Sequence, residues 1–356
     1  MLARILDTRN KRIAVAAVGF ALLAGAIAAF VLGGGEEEAA PTTTTTTTTA
    51  PPTTTTTVPV VVAPLTGLPG DYGDRLNLQA VFVKLDNAPQ ARPHCGIGQA
   101  DIVFEEEVEG NITRLAAVFH SRDPGDIGPV RSTRSTDAGL VGLFGTPLYA
   151  SSGGNSSVLS ILHQSPAVDI GDNISGAGFW RQPGRRAPHN LFTSLANLYA
   201  KSPGRTAPPK PVFVYRAEGE APPAAIARPA AAVGLSFGGP QISKFVWDAP
   251  SRQWHRYHGA NRHVDCAGKP VAPENVVVME IPYEFNPSSG NSRPHGVTVG
   301  EGRALVFTAG KAIGGKWVRA TPKSPLQILD NSGAPIELTP GQTFVELVPS
   351  GGVTWR

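Results

Sequence analysis

The sequence predicts an α+β fold outside a membrane, with a mixed α/β part over residues 64–202 and a β-rich part over residues 237–356. Three observations carry that expectation. Apolar and polar side chains alternate on either side of Gly110-Asn111, a two-residue hairpin signal. Two basic loops, around Arg131 and Arg185, run into segments that begin with helix-start residues. Beyond Phe237, short β-branched and aromatic runs recur about every ten residues, and no helical period competes with them.

Residues 1–12 form a short cytoplasmic tail with Arg4, Arg9, Lys11 and Arg12. They lead into residues 13–32, IAVAAVGFALLAGAIAAFVL, an apolar or small-residue run of about 20, the length of a bilayer-spanning helix. Positive charge before the run, and Glu36-Glu37-Glu38 after it, place the N-terminus inside and the remainder outside. No cysteine closes the run, so it carries no lipid-attachment signal. An uncleaved single-pass anchor in the cell membrane is expected, while the alanine spacing at residues 24–29 leaves cleavage open. Residues 33–63 contain threonine runs at 42–49 and 53–57 between prolines, a stalk with nothing to bury. From Pro64 about 290 residues remain, enough for two modest domains or one large one.

In the first part, residues 80–85 read as a strand closed by the turn pair Asp86-Asn87, and Pro89 and Pro93 keep the next loop extended. A second strand opens at residues 101–104, turns at Gly110-Asn111 and returns over residues 112–119. A two-residue turn would set Glu109 opposite Ile112 and Glu107 opposite Arg114. Strand alternation then puts Glu105, Glu107 and Glu109 on one face and Phe104, Glu106 and Val108 on the other. The turn Ile127-Gly128-Pro129-Val130-Arg131-Ser132-Thr133-Arg134 precedes a helix expected over residues 136–144, capped by Ser135 or Thr136. A strand at 148–150, a polar loop at 151–157 and a short helix at 158–163 follow. Arg185-Arg186-Ala187-Pro188-His189-Asn190 then leads into a helix expected over residues 191–200 with Asn190 as its cap.

Residues 203–236, rich in proline and alanine, read as a linker around a short strand at 212–216. The second part offers strands at 244–247, 253–257, 275–280, 304–308, 316–319, 326–329 and 344–348. The only two cysteines, Cys95 and Cys266, lie about 170 residues apart in an exported chain. A disulfide joining the two parts is expected, against the alternative of two unrelated small residues.

Several motifs together resemble the YerB-like family of bacterial exported proteins. They are Pro64-Leu65-Thr66-Gly67, Asp86-Asn87 with Arg92-Pro93, Gln99-Ala100-Asp101-Ile102-Val103-Phe104-Glu105, and Val108-Glu109-Gly110 with Ile112-Thr113-Arg114. The turn from Ile127 to Ser132 with Arg134, Pro188-His189-Asn190, Asn275-Val276-Val277-Val278 and Gly300-Glu301-Gly302-Arg303-Ala304 extend the match over residues 64–349. The resemblance implies a mixed α/β N-terminal part and a β-rich C-terminal part. Members are typically lipoproteins, whereas this chain has an apolar span and a stalk, and the resemblance supplies no reaction.

Arginine matches phosphate or carboxylate with paired donors. Arg131, Ser132 and Arg134, with Arg92, Arg185 or Arg186, and His189 and Asn190, therefore form the expected ligand-binding set. The competing reading is that Arg131 or Arg134 pairs with Glu105, Glu107 or Asp86 inside the fold. Glu105 with Glu107, or Asp86 with Glu107, has the spacing of a glycoside-hydrolase acid pair. Ser132 lacks a nucleophile motif. His255, His258, His263, Asp265 and Cys266 make a poor metal set, because His255 and His258 fall on opposite faces of a strand. No cofactor motif is present, and a net charge of +3 does not argue for nucleic acid.

The layout of tail, span and exported domain is similar to that of wall-polymer phosphotransferases of the LytR-CpsA-Psr type, without their motif matched residue by residue. The expected function is non-catalytic binding of an anionic wall polymer, a lipid-linked component or a wall-synthesis protein. The alternative is an envelope enzyme, a glycan hydrolase or phosphotransferase, that uses the acidic hairpin and the arginines.

Overall fold

The computed structural model describes residues 61–172, 178–204, 206–240, 242–286 and 293–356. The apolar run at 13–32 and the stalk up to residue 60 lie outside them. Among the described residues, no helix is long and apolar enough to cross a membrane. The fold is β-rich, with short helices. In chain order the first elements are β1 (Val81–Asp86), β2 (Ile102–Val108), β3 (Ile112–Phe119), β4 (Asp126–Ile127), α1 (Ser135–Val141), β5 (Leu148–Ala150) and α2 (Ser156–His163). Then come β6 (Val168–Asp169), β7 (Phe179–Arg181), β8 (Leu191–Ser194), α3 (Leu195–Ala200), β9 (Arg228–Pro229), β10 (Ala232–Ser236), β11 (Ile242–Asp248) and β12 (Gln253–His258). The chain closes with β13 (Asn261–Arg262), β14 (Asn275–Glu280), β15 (Tyr283–Asn286), β16 (Arg293–Gly296), β17 (Gly300–Thr308), β18 (Lys311–Arg319), β19 (Gln327–Asp330), β20 (Thr343–Val348) and β21 (Val353–Trp355).

One long sheet runs through both halves of the chain in the order β19-β18-β17-β14-β20-β2-β3-β1-β5-β6. Its seam is the parallel pair β2–β20, with register from Ile102↔Thr343 to Glu106↔Leu347. The central strands read as near-continuous apolar runs because both faces are covered. Val83, Val103, Leu115 and Phe344 enter one core, and Phe82, Phe104, Val118 and Val345 enter the other. A second sheet, β13-β12-β11-β10-β21, closes the first core, where Phe245 meets Phe344 and Trp254 meets Phe307. Helix α1 closes the second core with Leu140 and Val141.

The hairpin turn differs from the two-residue expectation. Glu109, Gly110 and Asn111 form a three-residue loop with Gly110 at φ 82° and Asn111 at φ 56°. Val108 therefore faces Ile112, Glu107 faces Thr113, and Glu106, not Glu107, faces Arg114. One extra loop residue shifts the register by one and reassigns each cross-strand neighbour.

Both helix starts also move. Arg134, not Ser135 or Thr136, holds the cap position of α1, and Asp137 accepts its N–H at 2.8 Å. The helix ends at Val141 and tightens into a single 3-10 turn, Gly142–Phe144. The helix expected over residues 191–200 divides into β8, which pairs with β4 and β7, and α3, whose cap is Ser194 rather than Asn190. The aromatic and β-branched pair Phe192-Thr193 favours the strand there.

The strand expected at 212–216 is reduced to a single bridge between Tyr215 and Leu338, and β9 and β10 form later in the segment expected as linker. Val212 and Phe213 are buried in the second core, and Arg216 donates to the Glu337 carbonyl and the Thr308 hydroxyl.

Cys95 and Cys266 are bonded, with Cα atoms 5.0 Å apart across a sequence separation of 171. Closing so long a loop restricts the unfolded chain. Replacing both cysteines with serine is expected to lower the unfolding free energy by about 2–4 kcal/mol, measured by denaturant titration. An unchanged midpoint would show that the bond contributes nothing.

Candidate functional site

The site begins at the end of β1. The Asp86 N–H donates to the Pro129 carbonyl at 2.9 Å and the Arg131 N–H to the Lys84 carbonyl at 2.8 Å, which lays the Gly-Pro-Val-Arg turn alongside the strand. Arg131 Nε reaches Asp86 Oδ2 at 3.1 Å, and His189 Nδ1 reaches the same oxygen at 2.7 Å. The Ala88 N–H donates to Asp86 Oδ1 at 3.0 Å. Asp86 is thus a buried carboxylate with both oxygens engaged. A carboxylate accepts, so His189 donates to it from Nδ1 and Nε2 is not part of this contact.

Two loops beside this pair form a cleft. Arg185 ties them together, donating from Nη1 to the Ala91 carbonyl at 3.0 Å and from Nη2 to the Pro93 carbonyl at 2.7 Å. Its guanidinium lies over the Phe192 ring, 5.2 Å from the centroid. Arg92 donates to the Asn87 carbonyl at 2.8 Å. Its burial, and the nearby Arg256, push its pKa down to about 10, which leaves it charged at neutral pH. Arg186 is exposed. Arg92, Arg185 and Arg186 have no carboxylate ion pair among the described residues. With Gln90, Pro93 and His189 they bound a cleft of about 660 Å³, and among the described residues no acidic side chain lines it.

Other expected site residues are spent inside the fold. Arg134 donates from Nε to Glu109 Oε2 at 2.6 Å and forms a second bond from Nη2 to Oε1. Arg114 also pairs with Glu109, at 3.5 Å, rather than with Glu107. The Ser132 carbonyl accepts from Arg114 Nη1 at 2.7 Å, and its hydroxyl lies 3.3 Å from that of Ser152. Asn190 accepts from Arg181 and donates to the Arg185 carbonyl, so it shapes the cleft loop. The first turn of α1 is satisfied by its own Asp137 and offers no anion seat.

The acid pair is not assembled either. Glu105 is fully buried and accepts from Asn87 at 3.1 Å, Thr113 at 2.6 Å, Ser243 at 3.0 Å and Arg256 at 2.5 Å. Burial alone would raise its pKa, but Arg256 and these donors hold it below the usual carboxylate range. Glu107 is half-exposed, and partial burial raises its pKa. Among the residues weighed as metal ligands, Cys266 is in the disulfide, His263 is bonded through both ring nitrogens, and His255 faces Arg262 instead.

Sequence reasoning missed the network around Arg256. Arg256 Nη1 donates to His263 Nδ1 at 2.9 Å, so His263 carries its proton on Nε2 and donates to His94 Nδ1 at 2.9 Å. His94 in turn donates from Nε2 to the Asp86 carbonyl at 2.5 Å. Burial, with Arg256 adding to it, pushes His94 down to about 4 and His263 well below its ordinary value, so both rings stay neutral. Glu346, the register partner of Glu105, is fully buried beside it. Burial, and then the charge of Glu105, push its pKa well up, so it holds a proton. The signals present in sequence were a lone acid inside the apolar run Phe344-Val345-Glu346-Leu347-Val348 and an arginine flanked by histidines on β12. On the other face of the sheet, buried Lys84 sits between Glu106 and Asp137, its Nζ 2.7 Å from Asp137 Oδ1.

Two substitutions separate these roles. Glu105→Gln strands Arg256 as a buried charge and is expected to cost about 3–5 kcal/mol. Glu346→Gln replaces a neutral acid with a neutral amide and is expected to leave the fold intact. The folded chain keeps a proton on Glu346 that the unfolded chain releases, so this group's contribution is present at low pH and is lost as pH rises above the ordinary carboxylate range. Denaturant titrations from pH 5 to 8 should show a decline in the parent that is shallower in Glu346→Gln. Parallel curves would show that Glu346 is ionised.

The sequence was compared with known proteins. Residues 65–207 match the N-terminal domain, and residues 233–345 the C-terminal domain, of the family described as protein of unknown function DUF3048. YerB of Bacillus subtilis (strain 168), named as a candidate lipoprotein, is 30% identical over 300 residues, covering 81% of this chain and 86% of the relative. The crystal structure of the YerB protein from Bacillus subtilis superposes with a TM-score of 0.73 at 24% identity, over 83% of this chain and 99% of that one. The chain therefore belongs to the YerB-like DUF3048 family, whose function is unknown.

Proposed function

We propose that this is a membrane-anchored cell-envelope protein that binds an anionic, phosphate- or carboxylate-bearing wall or lipid-linked component in the cleft bounded by Arg92, Arg185, Arg186 and His189. The observation that carries the reading is the charge of that cleft: among the described residues, its three guanidiniums have no carboxylate partner and no acid lines it. Arg185 is fixed by two carbonyls, so its charge is held in place before any ligand arrives. The location rests on the basic tail and apolar run at residues 1–32 and on the name carried by the Bacillus relative. Arg131 contributes at the margin, since it is only partly buried and shares Asp86 with His189. The acidic-hairpin hydrolase reading is not supported, because Glu105 is consumed by four donors.

Purified wall-polymer fragments and inorganic pyrophosphate are expected to bind the full-length protein, with affinity that falls as salt is raised. Arg186→Ala should weaken binding about 10-fold, the size of one charge-assisted hydrogen bond. Arg186→Glu should abolish binding, while Glu107→Gln leaves it unchanged. Calorimetric titration checks this, and equal affinity in the parent and Arg186→Glu would remove the cleft as the site.

A further inference from the structure

The cleft also holds the parts of a phosphoryl-transfer centre, an inference that rests on the anion-binding reading above. His189 lines the cleft, and its Nδ1–H is given to Asp86 at 2.7 Å. Asp86 accepts from Arg131, His189 and the Ala88 N–H together, which holds the ring by its Nδ1 edge. A neutral imidazole oriented by a carboxylate through Nδ1 keeps the Nε2 lone pair for an electrophile, the requirement for a nucleophilic histidine. Arg92, Arg185 and Arg186 place fixed positive charge where charge develops during phosphoryl transfer.

The lining also restricts the substrate. Among the described residues no acidic side chain lines the cleft, and Asp86 already accepts three donors, so none of them stands ready to protonate a departing alkoxide. A phosphate leaves as a stable anion without that proton, which selects an anhydride over a simple ester. We propose that His189 attacks the terminal phosphorus of a diphosphate ester bound in the cleft. The Nε2 lone pair forms the N–P bond, and the bridging P–O bond breaks, its electron pair leaving with the monophosphate ester. Water then attacks phosphorus, the P–N electron pair returns to Nε2, and the released proton passes to solvent. The net reaction is diphosphate ester plus water to monophosphate ester plus inorganic phosphate.

The test uses full-length protein in detergent, a nucleoside diphosphate labelled on its terminal phosphate as substrate, and inorganic pyrophosphate as the binding probe. An alkali-stable, acid-labile label on the protein is expected, absent in His189→Asn. Phosphate release should fall about 100-fold or more in that variant, a far larger loss than any weakening of its pyrophosphate binding. Added imidazole restoring release in His189→Gly is the second expected result, and it decides the case if the asparagine variant misfolds. Release without a protein label, release unchanged in His189→Asn, or no release from protein that binds pyrophosphate would each overturn the proposal. The last outcome leaves the anion-binding reading standing, whereas failure to bind pyrophosphate removes both.

Discussion

The fold turns on one buried ion pair, Glu105 with Arg256, whose side chains are fully withdrawn from water and joined at 2.5 Å. Glu105 lies on β2 in the long sheet and Arg256 on β12 in the second sheet, 151 residues away. Removing two such charges from water is costly, and the cost is offset only when further donors and acceptors satisfy both groups. Here they do. Asn87, Thr113 and Ser243 complete Glu105, while Ser243, His258 and His263 complete most of Arg256. The pair therefore specifies how the two sheets register on each other, where an apolar contact of the same area would tolerate sliding. Glu346 stays neutral beside it because burial, and then the charge of Glu105, outweigh the attraction of Arg256.

The same pair sets the electrostatics of the cleft. Arg256 fixes the proton positions of His263 and then His94, and that chain ends on the Asp86 carbonyl. The Asp86 carboxylate, in turn, holds Arg131 and His189. Each link is a directed hydrogen bond with one donor and one acceptor, so the tautomer of each ring follows from the guanidinium at the start. The disulfide Cys95–Cys266 spans the same junction, one residue beyond His94 and three beyond His263. Backbone geometry at the loop that carries Arg92 is thus constrained covalently on one side and by hydrogen bonds on the other.

Much of this was legible in sequence where the signal is local. The strand over residues 80–85, the hairpin, the basic cleft residues and the bonded cysteines are all readable from short-range pattern, with the strand register set by a period of two. The hairpin register was misjudged because Glu109-Gly110-Asn111 accommodates either a two- or a three-residue loop, and side-chain identity does not choose between them. The start of α3 was misplaced because Leu191, Phe192 and Thr193 suit a buried strand once β4 and β7 supply partners, which only the fold provides. The Glu105–Arg256 pair was out of reach for a related reason. Its members belong to segments that the pattern treats as separate parts, and the histidines flanking Arg256 do not name its partner.

Sorting the arginines by partner locates the chemistry better than the overall charge does. The chain carries a net +3, too little to mark any surface. Yet Arg114 and Arg134 share Glu109, Arg256 is matched by Glu105, and Arg131 shares Asp86 with His189. Among the described residues Arg92, Arg185 and Arg186 have no carboxylate ion pair, and all three line one cleft. Charges distributed by folding need not cancel locally even when they nearly cancel in sum, and a low-dielectric wall concentrates the field of those left over. The acidic hairpin beside Arg131 to Arg134 therefore does not draw on the charge of that cleft. By consuming Arg114 and Arg134 it fixes the turn that presents Arg131 to Asp86, and it leaves the uncompensated positive charge to the neighbouring loops.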